Sequence, residues 1–242
     1  TYFFKGSAKF PVFKKKRNSG SFNNPHGKKV SVIGGNVFIP KFMDGIAITQ
    51  HKPIVGAIRN STISKTATGK YYISLLCETG EIAPKLKAIK ESTSLGIDLG
   101  LKSFIVTSDG EKVDAPKHLR KSLNRLKYFQ RQQSKKQKGS ANRKKSRHKV
   151  ALIHEKVTNQ RQDFLHNLSS KLVSENQALC FEDLNVAGMV KNHKLALSIN
   201  DAGWSEFVRQ ITYKAEWRGK NLVQIGRFEP SSKLCSSCGS RN

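Results

Sequence analysis

The sequence predicts a mixed α+β fold, with a small antiparallel β-barrel over residues 1–92 and an α/β domain over residues 93–234. Three observations support this prediction. Short β-rich runs alternate with Gly, Pro and Asn as far as residue 77, a pattern typical of small antiparallel sheets and barrels. Apolar residues then recur at three- and four-residue steps between residues 119 and 172, and short apolar strands flank that helical stretch.

The chain carries a large excess of positive charge. Its 242 residues include 44 Lys or Arg and 17 Asp or Glu, which gives a formal net charge of +27. So large an excess favours a polyanionic partner. No apolar run approaches the roughly 20 residues that cross a bilayer, and no secretion signal is recognisable. The sequence therefore predicts a soluble, intracellular protein without a membrane partner.

The first unit mixes cations with aromatic rings. Residues 1–29 contain eight Lys or Arg, no acid and five Phe. This composition suits phosphate contacts and base stacking, although the rings could equally anchor a basic segment to a core. Strands of the barrel are predicted at residues 30–33, 36–39, 54–63 and 71–77, followed by a Lys-rich linker at 79–94.

Residues 95–110 predict a hairpin of two strands that carries one carboxylate, Asp98, among apolar neighbours. Burying a lone Asp is costly, so such a residue needs a hydrogen-bond partner, a basic partner or a metal. Gly96 and Gly100 flank it, which would leave the backbone open to a ligand, and residues 108–110 have the composition of a hairpin turn.

More than half of the net charge lies in the segment that follows this hairpin. Residues 112–161 hold 17 Lys or Arg against two acids. The apolar period predicts two long helices, at 117–136 and 141–175, joined at 138–140. A charged helix face is often only solvated, yet so one-sided a face repels itself unless an anion compensates it, which favours contact with nucleic acid.

Two further strands and a helix complete the second unit. A short apolar strand at 177–181 ends in Glu182, a helix is predicted at 201–218 with Asp201 as its N-cap, and a core strand follows at 222–225. Of the four cysteines, Cys77 and Cys180 stand alone in apolar runs and are expected in the core. The other two, Cys235 and Cys238, are spaced like half of a zinc knuckle.

The carboxylates Asp98 and Glu182 lie 84 residues apart at apolar strands. Hard oxygen ligands on rigid elements suit a pair of Mg²⁺ ions that hydrolyses a phosphodiester. Either acid could instead pair with a buried Lys or Arg, and Asp183 could be an accessory ligand or a capping residue. The order of strand, hairpin, basic helical insert, strand with a terminal Glu, helix and strand favours an RNase H-like nuclease domain.

Four sequence blocks resemble the TnpB (OrfB) family of transposon-encoded proteins. They are Gly-Ile-Asp-Leu-Gly-Leu-Lys at 96–102, Glu-Asp-Leu-Asn-Val-Ala-Gly-Met at 182–189, Leu-Ser-Ile-Asn-Asp-Ala-Gly-Trp at 197–204, and Phe-Glu-Pro-Ser-Ser-Lys-Leu-Cys-Ser-Ser-Cys-Gly at 228–239. All four stand in the family's order, so the resemblance covers most of the chain and is more specific than any single motif.

The resemblance implies an RNA-guided, Mg²⁺-dependent DNA endonuclease of a transposable element, related to the type V CRISPR effectors. In that family a RuvC nuclease domain follows a wedge-like β-barrel that grips the guide RNA. Asp98 and Glu182 would be two of the RuvC carboxylates, and Cys235 with Cys238 the first half of a zinc ribbon at 235–242. The implied partners are guide RNA and target DNA, without a small-molecule substrate, in the prokaryotic cytoplasm and on the nucleoid when DNA is bound.

The sequence also departs from the family pattern. Family members continue to a second Cys pair and a third RuvC aspartate, whereas this sequence ends at Asn242 and begins at Thr1 without an initiator Met. We therefore expect a chain truncated at both ends, with little or no cleavage of its own and zinc only if the second Cys pair were present. The alternative is a non-catalytic RNA- or DNA-binding remnant or regulator of a transposon. A basic ribosome-associated protein would leave Asp98 and Glu182 without a purpose.

Overall fold

A computed structural model describes residues 20–25, 27–82, 84–226, 238 and 240. The chain divides into two compact units, residues 1–81 and 82–242. The sequence instead suggested a boundary after residue 92. Most of the basic and aromatic segment predicted at 1–29 lies outside the described residues.

In its described residues, the first unit contains two antiparallel sheets of three strands each. Its strands are β1 (Gly20–Asn24), β2 (Ser31–Ile33), β3 (Asn36–Ile39), β4 (Phe42–Ala47), β5 (Ala57–Lys65) and β6 (Tyr71–Glu78). One sheet has the order β1-β5-β6 and the other the order β2-β3-β4. Val30, Val37 and Ile39 form a small buried cluster, against which half-buried residues of both sheets pack.

The predicted β-barrel is wrong, because both sheets of this unit are open. A barrel closes only when its edge strands pair with one another. In the described part of the chain no ladder joins the sheet of β1, β5 and β6 to that of β2, β3 and β4. The alternating pattern was correct for strands in antiparallel sheets, but it does not determine whether a sheet closes on itself.

The second unit contains five strands and five helices among its described residues. They are β7 (Ser94–Leu99), β8 (Ser103–Thr107), β9 (Lys112–Asp114), α1 (His118–Ser134), α2 (Ala141–Glu175), β10 (Ala178–Glu182), α3 (Val186–Met189), α4 (His193–Ala202), α5 (Trp204–Trp217) and β11 (Asn221–Ile225). The five strands form one mixed sheet of order β11-β10-β7-β8-β9. Strands β7, β10 and β11 are parallel, whereas β8 runs antiparallel to β7 and β9 antiparallel to β8.

The core of this unit lies between the sheet and the helices α2 and α5. Leu95 and Ile97 of β7 pair in register with Leu179 and Phe181 of β10, and all four side chains are buried. The fully buried ring of Phe104 packs edge to face against a phenylalanine of α2 at 5.1 Å and one of α5 at 5.0 Å between ring centroids. Such aromatic contacts add to the stabilisation that comes from buried area.

The two predicted long helices are confirmed to within two residues at each end. Ser140 caps α2, since its Oγ accepts a hydrogen bond from the Arg143 backbone N–H at 3.2 Å. The Arg143 guanidinium also donates to the carbonyl oxygens of Gln133 and Lys136, at 3.2 and 2.7 Å. One side chain therefore joins the end of α1 to the start of α2. The two helices pack against each other as a hairpin inserted between β9 and β10.

The helix predicted at 201–218 begins only at Trp204, and a separate helix, α4, which was not predicted, precedes it. Gly203 adopts the left-handed conformation (φ 75°), which ends α4 and starts α5 at Trp204. Glycine adopts this conformation without the steric cost that a Cβ would bring. Asp201 therefore lies in the last turn of α4 and does not cap α5. No helix in the described parts of the chain is long and apolar enough to span a membrane.

Candidate metal centre and nucleic-acid surface

The fold brings the two predicted carboxylates to equivalent positions on neighbouring strands. Ile97 of β7 pairs with Phe181 of β10, and Asp98 and Glu182 are the next residues along these parallel strands. Side chains alternate across a sheet and adjacent strands lie about 4.8 Å apart. Both carboxylates therefore lie on the sheet face opposite Ile97 and Phe181, at adjacent positions on neighbouring strands.

The surroundings of Asp98 differ from the apolar environment that the sequence suggested. Leu95 and Ile97 are buried on one face of β7, whereas Asp98 is exposed on the other, and Glu182 is half-buried. The alternation of the strand explains the difference, because apolar sequence neighbours point to the other face. An exposed carboxylate pays little desolvation cost and remains accessible to a cation.

The flanking glycines have structural roles rather than leaving an open approach to a ligand. A Cβ on Gly100 would lie 2.7 Å from the carbonyl oxygen of Ser103, inside the tight turn between β7 and β8. A Cβ on Gly96 would lie 3.3 Å from the Cβ of Ser108. The Gly96 backbone N–H donates to the Ser108 Oγ at 3.1 Å. The space beside both glycines is therefore taken by the chain itself.

Asp98 and Glu182 fit a divalent cation that takes hard oxygen ligands. Mg²⁺ is usually held by one or two carboxylates and completes its shell with water and substrate oxygens. Within the described residues, no group of three or more His, Cys, Asp or Glu side chains could hold a metal. The side chain of Asp183 is exposed, and its backbone N–H donates to the Ile225 carbonyl at 3.1 Å, which extends the pairing with β11.

The cysteines divide between described and undescribed parts of the chain. Cys235 lies outside the described residues, and Cys238 is an exposed free thiol whose Sγ lies 3.0 Å from the Ser240 Oγ. The zinc half-site therefore stays a prediction. Cys77 and Cys180 are free and half-buried, so both are at the margin of the core in which they were expected.

The hairpin of α1 and α2 presents a cationic surface with an aromatic patch. Its exposed basic residues include Lys121, Arg125, Lys127, Arg131, Lys144, Lys145, Arg147 and Lys149. Tyr128 is 57% exposed and packs edge to face on Phe129, with 5.2 Å between ring centroids. Arg125 and Lys149 lie over the Phe129 ring at 6.0 and 5.8 Å. Cations beside an open ring suit a surface that holds phosphates and stacks on planar groups.

The fold of the chain is similar to that of a protein of known structure. It resembles the protein in the cryo-EM structure of the Cas12f1-sgRNA-target DNA complex, with a TM-score of 0.52 and 16% sequence identity. The match covers 77% of this chain and 39% of that one. At this identity, the likeness concerns the fold alone.

The chain belongs to the OrfB (TnpB) family. Residues 74–193 match the family described as a probable transposase, OrfB_IS605, and residues 204–242 match the Cas12f1-like TNB domain. A protein of Streptomyces pristinaespiralis named "Putative RNA-guided DNA endonuclease" is 40% identical over 98% of the chain. "Putative RNA-guided DNA endonuclease InsQ" of Escherichia coli (strain K12) is 30% identical, also over 98% of the chain.

This chain is shorter than those relatives. It spans 58% of the length of the Streptomyces protein and 61% of that of InsQ. A third relative, TnpB-like protein L79 of Acanthamoeba polyphaga mimivirus, is 24% identical over 93% of the chain, which spans 46% of its length.

Proposed function

We propose that this chain is the nuclease-bearing part of an RNA-guided, Mg²⁺-dependent DNA endonuclease of a transposable element, with Asp98 and Glu182 as metal ligands. One observation carries the proposal. Two carboxylates 84 residues apart in sequence occupy matching positions on adjacent parallel strands. That arrangement provides rigid oxygen ligands, as a phosphodiester-cleaving metal site requires.

The sheet topology supports an RNase H-like, RuvC-type domain. The first strand, β7, lies at the centre of the sheet. On one side β8 pairs antiparallel to β7 and β9 antiparallel to β8, and on the other side β10 and β11 run parallel to β7. Asp98 is carried by the central strand and Glu182 by its parallel neighbour. The candidate site therefore lies at the carboxyl ends of these strands, where open sheets with helical crossovers commonly bind ligands.

Each part of the chain has a distinct role in the proposed reaction. Asp98 and Glu182 would hold the cations and would fix their position through the rigid strands β7 and β10. Bound Mg²⁺ supplies water activation and stabilises the charge of the leaving oxygen. The exposed cations of the α1–α2 hairpin bind phosphates of the nucleic acid, and the negative charge of the phosphates offsets the mutual repulsion of these cations.

The proposed partners are a guide RNA and a target DNA. The support comes from the relatives named as RNA-guided DNA endonucleases and from the net charge of +27. In such complexes base pairing with the guide reads the sequence, whereas the protein contacts mainly backbone. A surface that consists mainly of Lys and Arg suits contacts to the phosphate backbone, which do not depend on base sequence.

A second candidate function is nucleic-acid binding without cleavage. The observation that favours it is that no third metal-binding side chain joins Asp98 and Glu182 in the part of the chain that the structure describes. A site of two carboxylates holds a second cation less firmly. We therefore expect the 242-residue chain alone to cleave little or not at all, and to retain salt-sensitive binding of nucleic acid.

The test is cleavage of a labelled DNA target in the presence of guide RNA and Mg²⁺. It compares this chain with a form lengthened to the full extent of the Streptomyces relative, each with Asp98→Ala and Glu182→Gln variants. Asp114→Ala is the matched control, because Asp114 is an exposed carboxylate of the same sheet on its edge strand β9. We expect the lengthened form to cut and both site variants, but not the control, to be inactive. Full cleavage by the Asp98→Ala variant would overturn the assignment, and inactivity of every form with binding retained would favour the second candidate.

A further inference from the structure

A tryptophan at the end of α5 is unusually exposed. Trp217 exposes 72% of its surface, whereas Trp204, at the start of the same helix, exposes 2%. Trp204 belongs to the buried core of the unit. A large ring that stays open to water forgoes the stabilisation that its burial would bring, and exposed rings of this kind mark contact surfaces.

Trp217 ends a row of planar side chains along α5. Arg209, Tyr213 and Trp217 follow one another at intervals of four residues, which places them on one face of the helix. The Arg209 guanidinium lies 5.5 Å from the centre of the Tyr213 ring, and the Tyr213 and Trp217 rings are 4.8 Å apart at an angle of 62°. The Arg209 guanidinium is itself fixed by two hydrogen bonds of 2.7 Å to Glu206. One edge of the indole is therefore supported while most of its surface stays open.

A lysine-bearing segment lies beside the end of this row. The Asn221 side-chain amide donates to the Lys87 carbonyl at 2.7 Å. A Cβ on Gly219 would lie 2.9 Å from the Pro84 carbonyl oxygen, so the segment is packed closely against the turn between α5 and β11. Residues 84–93 and 216–220 together carry five Lys or Arg and two Glu. The surroundings of the exposed indole are thus predominantly cationic.

This surface is remote from the two carboxylates. Trp217 comes just before β11 begins at Asn221, whereas Glu182 pairs with Ile225 at the other end of that strand. A strand of five residues spans about 16 Å. A strand of nucleic acid on Trp217 would therefore be held away from the proposed metal site.

We propose that Trp217 is a stacking platform for an unpaired base of single-stranded nucleic acid, whose phosphates are bound by the lysines of residues 84–90. The proposal rests on the nucleic-acid binding proposed above and adds a second, separate surface to it. The lysines beside Trp217 favour nucleic acid as the partner, because its phosphates are attracted to a cationic surface. The ring favours a single strand, because a base inside a duplex is stacked on both faces and leaves no free face for an indole.

Intrinsic fluorescence can test this inference directly, because the chain contains two tryptophans. The emission of Trp217 is the difference between the wild type and a Trp217→Phe variant, which leaves the buried Trp204 unchanged. The probes are oligo(dT) and oligo(rU) of 20 nucleotides and a 20-base-pair duplex. We expect the single strands to quench the Trp217 emission strongly and the duplex to quench it little, and the two oligonucleotides distinguish DNA from RNA as the ligand.

Binding affinities provide the second measurement. Base stacking on an aromatic side chain is worth about 1–3 kcal/mol, so Trp217→Ala should weaken single-strand binding by about fivefold to 150-fold. The Trp217→Phe variant keeps a ring and should retain most of the affinity. An affinity of the Trp217→Ala variant equal to that of the wild type would show that the ring does not bind and would overturn the proposal.

Other outcomes separate this inference from the proposed function. If single strands bind with unchanged Trp217 emission, the proposal that a base stacks on Trp217 is wrong, whereas the proposed binding of nucleic acid is unaffected. If no form binds any nucleic acid at low salt, the proposed function itself fails. If acrylamide cannot quench Trp217 in the lengthened protein before nucleic acid is added, a protein segment covers the indole, and the proposal is overturned in favour of that contact.

Discussion

Asp201, in the last turn of α4, caps the first turn of α1. Its Oδ1 accepts a hydrogen bond from the Leu119 backbone N–H at 2.8 Å, and its Oδ2 accepts one from the Arg120 backbone N–H at 3.0 Å. Lys117, which precedes α1, is left-handed (φ 53°) and provides no side-chain cap. Arg161 of α2 donates to the Asp201 carbonyl at 3.0 Å. A single aspartate therefore positions the start of the cationic hairpin.

Replacement of Asp201 should destabilise the second unit. The carboxylate is 7% exposed and accepts two backbone hydrogen bonds, so Asp201→Ala leaves two donors without their acceptor and should cost about 2–3 kcal/mol. Asp201→Asn keeps one acceptor oxygen and should lose about half as much. Urea unfolding measures both, with Asn200→Ala, an exposed neighbour, as the control. An Asp201→Ala variant as stable as the wild type would contradict the capping role.

The same aspartate should control the titration of His118. Burial lowers the pKa of His118 below its usual value of 6.5, while the charge of Asp201 opposes that effect. Asp201→Asn removes the opposing charge, so the pKa of His118 should fall further. Because the folded state disfavours the protonated imidazole, His118 reduces stability as the pH falls below 6.5 and has no such effect above it. An NMR titration of the imidazole in wild type and variant measures the shift, and an upward shift would exclude this explanation.

Local patterns predicted the long helices well, because their determinants lie within a few residues. The apolar period of α1 and α2, Ser140 at the N-cap and Gly139 in the turn are all visible in sequence. The pairing of Ile97 with Phe181, in contrast, could not be predicted from local patterns. It depends on β7 and β10 lying side by side, and no local pattern specifies which strands become neighbours.

The wrong assignment of Asp201 has the same physical origin. Asp201 has the residue type of an N-cap and was assigned to the nearest following helix, although it caps one that begins 83 residues earlier, at His118. A signal for the break between α4 and α5 was present in Gly203. Helix α4 was missed, and its capping residue Asn192, whose Oδ1 accepts from the Lys194 N–H at 3.0 Å, could have indicated it.

Glu206 should make the stability of the second unit sensitive to acid. Hydrogen bonds from the Arg209 guanidinium lower the pKa of Glu206 to about 2 from 4.5. A depressed pKa stabilises the fold above pH 4.5, and this stabilisation is lost as the pH falls towards 2. Because the pair is partly exposed, we expect Glu206→Gln to cost only about 1 kcal/mol at neutral pH. Urea unfolding between pH 2 and 7 should show the two proteins converging in acid, and a gap that persists at the lowest pH would contradict this.

Neutralising the cationic hairpin should change the salt dependence of binding. Each phosphate contact contributes about 0.7 to the slope of log K against log salt for single strands and about 0.9 for duplexes. A variant with Lys121, Lys127, Lys144 and Lys145 changed to Gln should therefore lower the slope by up to about 3 for single strands and about 3.6 for duplexes. Changing the same four residues to Arg keeps the charge and should leave the slope unaltered. Equal slopes in the Gln and Arg variants would show that the hairpin does not bind phosphates.

If Asp98 and Glu182 form the proposed metal centre, the effect of Asp98→Asn on the stability of the protein should depend on whether Mg²⁺ is present. Without a cation, Asp98 and Glu182 place two like charges on adjacent strands, so Asp98→Asn should leave stability unchanged or raise it by up to about 1 kcal/mol. A cation that binds only the folded state stabilises the wild type by about 2.7 kcal/mol at 100 times its Kd, and the variant should lose this gain. The order of stability should therefore reverse when Mg²⁺ is added.

Thermal unfolding in EDTA and in a Mg²⁺ series measures this reversal, with Asp114→Asn as the control. The control removes a carboxylate from the edge strand β9 of the same sheet, so it should follow the wild type in both conditions. If the Asp98→Asn protein is less stable than the wild type even in EDTA, the carboxylate has a structural role. If Mg²⁺ stabilises wild type and variant equally, Asp98 is not a ligand. Reversal with Asp98→Asn but not with the control requires a cation at Asp98, because no loss of packing changes sign with Mg²⁺.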